Sequence, residues 1–259
     1  MRLAVQENLL PGDGLAAKWG LVRRLGYDGI ELRGAAGMRE RLPELRAAGA
    51  VTPSICLDGG PFIGAFAAGE RARAVAAMRE LLEVAAEVGA RGVVTPAAYG
   101  IHSNRLPPFA PPRPPEEDRA VLLDALGALG ARAEALGVEV WLEPLNRYED
   151  HMVNTLAQGT ALLQAAGSSA VRLMADLFHM NIEEAEIPAA LAQAGGLVAH
   201  VHLADSSRLE PGTGHADFAA ALGALRDLGF DGWGALECRF SGEPDESLRR
   251  ALKLLRQMV

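Results

Sequence analysis

The sequence contains very little lysine and cysteine, and each shortage argues against a class of chemistry. Lys18 and Lys253 are the only lysines, and both lie in stretches with helical patterning. A Schiff-base mechanism would need a lysine at the end of a strand, so that mechanism is disfavoured. Cys56 and Cys238 are too few for a disulfide framework and lack the spacing of a zinc site. We therefore expect two buried thiols in a reducing compartment.

The chain also lacks long apolar runs and any clustering of positive charge. It contains no run of 18 apolar residues, and its start, MRLAVQENLLPGDG, has neither the apolar core nor the cleavage site of a signal peptide. We expect a soluble cytoplasmic protein with no membrane partner. The formal net charge is −8 and the basic residues are dispersed, which disfavours nucleic acid as a partner.

A strand-like run followed by a helical stretch occurs eight times along the 259 residues. The strand-like runs are RLAV, GIEL, AVTPSIC, RGVVT, VEVWLE, VRLMAD, VAHVHLAD and WGALEC. The helical stretches are residues 14–25, 37–48, 69–88, 116–136, 155–166, 183–194, 216–227 and 244–257. Glycine follows several of the helices, as in RRLGYDGIEL, because it adopts the left-handed conformation that ends a helix.

This alternation predicts one domain, residues 1–259, folded as a (β/α)₈ TIM barrel of the α/β class. A doubly wound sheet is the alternative, but no G-x-G-x-x-G follows the first strand. The longest irregular stretch, AAYGIHSNRLPPFAPPRPP at residues 97–115, follows the fourth strand. A plain surface loop would explain it, but so long a loop in a compact domain is typical of a lid, which we predict here.

Polar residues stand at the carboxyl ends of the last four strands. Alternation of side chains along a strand points Glu143, Asp176, His202 and Glu237 into the mouth of the barrel, on the face where barrel enzymes have their active sites. A single strand-end acid is commonly a helix cap or part of a salt bridge. Four such residues in consecutive units would repel one another without a cation, so the pattern predicts a metal site.

Three carboxylates and one imidazole favour Mn²⁺, with Co²⁺ or Mg²⁺ as alternatives, over a structural zinc ion. His200 lies two residues before His202, and we expect it to orient a ligand carboxylate through a hydrogen bond. The same alternation predicts that Glu139 and Arg172 form a structural ion pair at the floor of the barrel. Large residues fill the interior of such barrels, and Trp141 and Trp233 are placed to do so.

Several motifs resemble the sugar isomerases and epimerases among the xylose isomerase-like barrels, most closely the D-tagatose 3-epimerase and D-psicose 3-epimerase group. They are LEPLNRYE, ADLFHMNIEE, HVHLADSSRLEPGTGHADF and the LE at 236–237. The resemblance implies that the four strand-end residues are the metal ligands, and that a homodimer or homotetramer forms. It further implies that Glu149, His179 and Arg208 hold the oxygens of the sugar. Otherwise His179 could cap a helix and Arg208 could be a solvated loop charge.

The ligand set favours epimerisation at C3 of a free ketose through a cis-enediolate. Glu143 and Glu237 come from strands three apart, so one would remove the C3 proton and the other would return a proton to the opposite face. If a single carboxylate removed and returned the proton on one face, the reaction would be aldose–ketose isomerisation. A hydroxypyruvate isomerase or an inositol-pathway (inosose) isomerase or dehydratase is the alternative. Two more remote alternatives are an endonuclease IV-like DNA repair enzyme and a non-catalytic sugar-binding protein.

Phosphorylation of the substrate is left open by the sequence. Barrel enzymes commonly bind phosphate with the loops after strands 7 and 8. The first of these loops, SSRLEPGTGH, contains Gly212 and Gly214, whose backbone could approach a phosphate. Arg208 and Arg239 could assist.

Overall fold

Eight parallel strands form a closed barrel in which each strand pairs with its neighbours in chain order and the last pairs with the first. The structure, a computed structural model, describes residues 1–103 and 110–259. The strands are β1 (Arg2–Gln6), β2 (Gly29–Gly34), β3 (Ser54–Leu57), β4 (Gly92–Pro96), β5 (Glu139–Glu143), β6 (Val171–Asp176), β7 (Val198–Leu203) and β8 (Trp233–Leu236). The prediction of a (β/α)₈ barrel is confirmed.

Helices lie between the strands and follow the last one. Within the described residues they are α1 (Gly14–Leu25), α2 (Leu42–Ala48), α3 (Ala68–Val88), α4 (Pro115–Leu136), α5 (Leu156–Ala166), α6 (Leu177–Glu183), α7 (Ile187–Ala194), α8 (Phe218–Asp227) and α9 (Pro244–Leu255). Short 3₁₀ turns occupy Glu7–Leu9, Met38–Arg41 and Gly195–Leu197. Among these described helices, none is long and apolar enough to cross a membrane.

Two predicted helices start in the wrong place. The one at 37–48 begins with the 3₁₀ turn Met38–Arg41, and α2 starts only at Leu42. Residues 183–194 were expected to form a single helix, but α6 ends at Glu183 and α7 begins at Ile187. Glu184 is extended, and Pro188 lies in the first turn of α7. Proline is accepted in the first turn of a helix and disrupts its interior, so the second helix starts beside it. The separate helix α6 matters for function because it begins at the carboxyl end of β6.

Glycine ends several helices, as the sequence predicts. Gly26, Gly89 and Gly137 follow α1, α3 and α4 with φ angles of 97°, 76° and 69°. These left-handed angles are strained for residues with a Cβ atom. Each glycine therefore turns the chain from a helix towards the next strand, so that the units repeat closely around the ring.

Large side chains fill the barrel interior. Trp141 is fully buried and stacks on His200 with ring centroids 4.8 Å apart, and Trp233 is buried in a separate interior cluster. A Cβ atom on Gly92 of β4 would overlap the Trp141 indole, so the missing side chain makes room for the ring. At the floor, Arg172 Nη1 lies 3.5 Å from Glu139 Oε1, which confirms the predicted ion pair.

Strand register places polar residues side by side at the opposite, carboxyl end of the barrel. Asp176 and His202 are direct partners on β6 and β7. Glu143, the last residue of β5, pairs with Pro96, the last residue of β4.

Part of the predicted lid at 97–115, residues 104–109, lies outside the described residues, and the lid stays a prediction.

Candidate metal centre and active site

Glu143, Asp176, His202 and Glu237 meet at the mouth of the barrel as the sequence predicts. Each offers one ligand atom, and these four atoms lie within 4.8 Å of one another. His202 Nδ1 lies 3.8 Å from Glu143 Oε1, 3.9 Å from Asp176 Oδ2 and 3.2 Å from Glu237 Oε2. Two ligands that bind one ion at about 2.1 Å are themselves about 3–4 Å apart. The spacing is therefore that of a group able to hold one cation.

The chemistry of these atoms also fits a cation. Glu143 Oε1, Asp176 Oδ2 and His202 Nδ1 are buried and have no hydrogen-bond partner among the described residues. Buried polar atoms normally have a partner, because leaving one unpaired costs about 1–3 kcal/mol or more for a charged group. Three unpaired atoms from three strands face the same space. A divalent ion would satisfy all of them at once.

Asp176 connects the metal site to α6. Its Oδ1 accepts hydrogen bonds from the backbone N–H groups of Phe178 and His179, at 2.7 and 3.3 Å, and so caps the helix. Its Oδ2 remains for the ion. One carboxylate thus ends β6, starts α6 and fixes His179 one turn away from the metal space.

Glu31 of β2 organises the two histidines of β7. It is fully buried, and its Oε1 and Oε2 lie 2.8 Å from His202 Nε2 and 2.7 Å from His200 Nε2. Ser54 Oγ donates to Oε2 at 2.7 Å, and Gln6 Nε2 donates to Oε1 at 3.1 Å. Because Glu31 accepts from His202 Nε2, the imidazole presents Nδ1 to the metal space.

The predicted hydrogen-bond partner of His200, a carboxylate of the metal site, is therefore wrong. His200 binds Glu31, which does not belong to the predicted ligand set, instead of orienting one of the ligand carboxylates. Glu31 is absent from the residues predicted as functional. The same alternation that selects Glu143 points Glu31 and Arg33 into the barrel, and that signal would have found them.

The two candidate catalytic glutamates have contrasting surroundings. Burial raises the pKa of Glu143 well above its ordinary value, and the neighbouring carboxylates of Glu237 and Asp176 add to this effect. Glu237 is partly buried, which opposes its ionisation, but the charges of His202 and Arg208 hold its pKa below the ordinary value. A negative charge on Glu143 therefore has less compensation from neighbouring positive groups than a negative charge on Glu237. A cation bound there would stabilise the ionised form.

Arg208, His179 and Glu149 border the same space. The Arg208 guanidinium contacts Glu237 Oε2, lies 3.6 Å from Asp176 Oδ2 and stacks over the Phe178 ring. Arg208 has a φ of 55°, a conformation that is uncommon for residues other than glycine and is often found at functional sites. It is thus a structured residue in the site and not a solvated loop charge.

His179 is buried in α6 and is held by Asn146. Its Nδ1 accepts from the Asn146 backbone N–H at 3.1 Å. Nε2 lies 3.6 Å from Asp176 Oδ2 and 2.9 Å from Arg208 Nη1. Asn146 also donates to Glu149 Oε1 at 3.1 Å. His179 does not cap the helix, because Asp176 does.

A cavity of about 510 Å³ opens above these residues. Glu149, His179 and Arg208 line one side of it. The lining on the side of β1 to β3 includes Gln6, Arg33 and Asp58. The cavity therefore has polar groups on two sides of the metal space. The sequence predicted the side with Glu149, His179 and Arg208 but not the side with Gln6, Arg33 and Asp58.

The loop that could have approached a phosphate uses its backbone amides internally. Asp205 accepts hydrogen bonds from the N–H groups of Gly212 at 2.8 Å and Thr213 at 3.1 Å. A Cβ atom on Gly214 would overlap Ser206 and Asp205. These glycines allow the loop to pack tightly on its own carboxylate, so their presence does not indicate a phosphate site.

Comparisons with known proteins agree with this geometry. The family described as Xylose isomerase-like TIM barrel matches residues 19–258. The chain belongs to this family. The 3-dehydro-D-guloside 4-epimerase of Escherichia coli (strain K12) is 35% identical over 261 residues, which cover 99% of each chain. The L-ribulose 3-epimerase of Mesorhizobium japonicum is 31% identical over 245 residues, which cover 91% of this chain and 79% of that protein.

Solved structures of the family superpose closely on this barrel. The apo form of an Escherichia coli 3-keto-D-glucoside 4-epimerase has a TM-score of 0.94 and 34% identity, and the match covers 99% of each chain. A D-psicose 3-epimerase in the presence of D-fructose has a TM-score of 0.85 at 24% identity, covering 100% of this chain and 99% of that one. The second likeness, at that identity, concerns the fold alone. The predicted resemblance to sugar epimerases is confirmed.

Proposed function

We propose that this chain is a sugar epimerase that inverts a hydroxyl-bearing carbon next to a ketone with the help of a divalent metal ion. The observation that carries the proposal is the meeting of Glu143 and Glu237, from strands three apart in the ring, around one cation-sized space, with Asp176 and His202 on the two strands between them. A pair of carboxylates on two sides of a bound carbon is what inversion by two bases requires. The sugar epimerases among the relatives support the assignment.

Glu143, Asp176, His202 and Glu237 would hold the ion, for which we propose Mn²⁺, with Co²⁺ or Mg²⁺ as alternatives. When bound, such an ion polarises the ketone and makes the hydrogen on the adjacent carbon more acidic. The protein's own residues then move the protons. Glu237 takes the proton from one face, which converts the substrate to a cis-enediolate, and Glu143 returns a proton to the other face. The reverse reaction exchanges these roles.

Glu149, His179 and Arg208 would position the oxygens of the sugar. The Arg208 guanidinium is a hydrogen-bond donor beside the metal space and suits the negative oxygens of an enediolate. The His179 imidazole lies next to it and would contact the same part of the sugar. Glu149 accepts a hydrogen bond from Asn146 and retains acceptor capacity for a sugar hydroxyl. Donors and acceptors of this kind fix which carbon lies between the two glutamates.

Two substrates share this chemistry. In a free 2-ketose the inverted carbon is C3, which is the reaction that the resemblance to the ketose 3-epimerases implies. In a 3-keto-glycoside it is C4. This second candidate is supported by the relative that acts as a 4-epimerase and aligns over 99% of the chain. A homodimer or homotetramer in the cytoplasm also remains a prediction.

Deuterium exchange in D₂O tests the function. The Mn²⁺-loaded protein is incubated with D-fructose, D-psicose, L-ribulose and a 3-keto-D-glucoside, and exchange and epimer formation are followed by NMR. We expect deuterium only at the carbon between the glutamates, and its loss after chelation. Glu237→Gln should exchange one epimer while its net epimerisation falls about 10²–10⁴-fold, the usual effect of removing a positioned base. Glu143→Gln should exchange the other epimer.

Three results would contradict the scheme. Deuterium at C1 of a ketose would indicate an aldose–ketose isomerase. Equal loss of exchange and epimerisation in both variants would mean that the glutamates act only as metal ligands. Full activity after chelation would rule out the metal.

A further inference from the structure

We infer that Arg33 and Asp58 form a second sugar-binding wall that selects uncharged substrates with hydroxyl groups beyond the carbons at the metal. Arg33 lies near the carboxyl end of β2, and Asp58 directly follows β3. The inference deepens the proposed function by naming the substrate class, and it rests on that function.

The wall faces the cavity from the side opposite to the residues already described. In the closed ring β2 and β3 lie across from β6 and β7, the strands that lead to His179 and Arg208. Arg33 and Asp58 both line the cavity. A substrate whose reacting carbon lies between Glu143 and Glu237 would extend its remaining carbons towards this wall.

Hydrogen bonds connect the wall to the reacting centre. The Arg33 guanidinium contacts the Asp58 carboxylate, and its Nη1 donates to Gln6 Oε1 at 3.1 Å. Gln6 Nε2 in turn donates to Glu237 Oε1 at 3.0 Å. Arg33 Nη1 also lies 3.6 Å from Glu237 Oε1. The distance from the wall to the proposed base is thus fixed by a fully buried glutamine.

The chemical character of the pair suits a diol. The Asp58 side chain is 50% exposed and the Arg33 side chain 26%, so both can reach a ligand in the cavity. A carboxylate beside a guanidinium offers acceptors and donors together, and two neighbouring hydroxyl groups can donate to one and accept from the other. Because each charge is already neutralised by its partner, the pair has little attraction for an anion.

The charges of the whole cavity lead to the same substrate class. Its described lining contains three arginines and four carboxylates, and Asp176 adds a fifth carboxylate at the metal space. A bound divalent cation brings these charges into balance. The described lining residues then have no excess positive charge that would attract a phosphate dianion. The backbone N–H groups of Gly212 and Thr213, in the loop after β7, already donate to Asp205.

The experiment compares long and truncated substrates in two variants. Asp58→Asn and Arg33→Met are assayed by proton exchange next to the ketone, with a full-length neutral keto-sugar and with a four-carbon ketose. The four-carbon ketose keeps the α-hydroxyketone but lacks the remote hydroxyls. We expect kcat/KM to fall about 10- to 100-fold on the long substrate, the effect of losing hydrogen bonds to charged groups. The loss on the four-carbon ketose should be at least several-fold smaller.

Arg147→Met provides the matched control. Arg147 forms an ion pair with Glu183 at 2.8 Å on the same face of the barrel but does not line the cavity. This variant should behave as the wild type on both substrates. Equal losses on long and short substrates in Asp58→Asn and Arg33→Met would show that the pair only supports Glu237, and would overturn the inference.

Binding to the Mn²⁺-loaded protein separates this inference from the proposed function. Calorimetric titration with D-fructose and with its 6-phosphate requires no turnover. We expect the neutral sugar to bind more tightly than the phosphate, and Asp58→Asn to weaken the neutral sugar specifically. Tighter binding of the phosphate would overturn the inference. Sugar binding that depends on Asp58 without exchange on any ketone would retain the wall and reject the epimerase.

Discussion

At the scale of single residues, Glu31 shows how one buried carboxylate determines what a neighbouring histidine can do. Its two oxygens bind His200 and His202 within 2.8 Å. Burial opposes ionisation of Glu31, but the histidines, His202 above all, hold its pKa well below the ordinary value. The ionised carboxylate accepts from His202 Nε2 and leaves Nδ1 facing the other three ligand atoms.

Replacing Glu31 by glutamine tests this role. The amide keeps one acceptor oxygen but turns an N–H₂ group towards one of the histidines, so His202 loses its fixed orientation. We expect Mn²⁺ affinity to fall about 10- to 100-fold, as is usual for groups that orient a metal-binding histidine. Calorimetry or the electron paramagnetic resonance signal of free Mn²⁺ measures this without an activity assay.

Ser54→Ala is the control for Glu31→Gln. It removes one hydroxyl donor from Glu31 and leaves both histidine contacts in place. Its effect on Mn²⁺ affinity should be much smaller than that of Glu31→Gln. Wild-type affinity in Glu31→Gln would mean that the packing of His202 alone sets its orientation.

At the scale of structural elements, the loop between β7 and α8 is held by two buried carboxylates. Asp205 collects backbone amides of the loop, and Glu210 binds the Ser241 N–H at 2.9 Å and the Ser241 hydroxyl at 2.6 Å. Arg250 of α9 also contacts Glu210. Arg208 lies between Asp205 and Glu210 in the sequence. Because both carboxylates hold the loop in place, Arg208 keeps its left-handed backbone conformation beside Glu237.

Glu210→Gln should destabilise the protein in a pH-dependent manner. Burial opposes ionisation, but the Ser241 and Arg250 donors lower the pKa of Glu210 from 4.5 to about 2. Because the folded pKa is the lower one, this stabilisation is complete above pH of about 4.5 and is lost as the pH falls towards 2. We expect a loss of about 3–4 kcal/mol at pH 7, since one pKa unit corresponds to about 1.4 kcal/mol.

Urea unfolding of both proteins at pH 7 and at pH 3.5 measures this effect. The difference in the free energy of unfolding between wild type and Glu210→Gln should shrink at the lower pH. An equal difference at both values would show that the hydrogen bonds of Glu210 do not depend on its charge.

The elements also show why only part of the site could be predicted from the sequence. The convergence of Glu143, Asp176, His202 and Glu237 could be predicted, because side chains alternate along a strand and one of the last residues of each strand therefore points into the mouth of the barrel. Glu31 lies in GIEL, an apolar run with one acid, and its partners are 169 and 171 positions away along the chain. The break between α6 and α7 depends on Pro188 and on the cap from Asp176, which a continuous helical pattern hides.

At the scale of the whole molecule, the metal ion should contribute to stability as well as to chemistry. The centre buries three ligand atoms without partners among the described residues, and this cost disappears when an ion binds. An ion at about 100 times its Kd should stabilise the fold by about 2.7 kcal/mol, since only the folded state brings the four ligands together. For a chain of this size that raises Tm by roughly 5–10 °C.

Thermal unfolding with Mn²⁺ and with a chelator measures the shift. Asp176→Asn is the matched variant, because the amide oxygen can still cap α6 while the charge for the ion is lost. This variant should fold, as judged by circular dichroism, and its Tm should respond little to Mn²⁺. An unchanged Tm in the wild type, or a full response in Asp176→Asn, would contradict the assignment of the ligands.

Closure of the ring between β1 and β8 has a consequence for synthesis on the ribosome. The proposed ligands lie at positions 143, 176, 202 and 237, and Gln6 reaches Glu237 across 231 positions of the chain. A nascent chain that has not yet released β8 can present only three of the four ligands, around an open sheet with two unpaired edges. Metal capture by all four proposed ligands would therefore require that β8 has left the ribosome and has closed the ring.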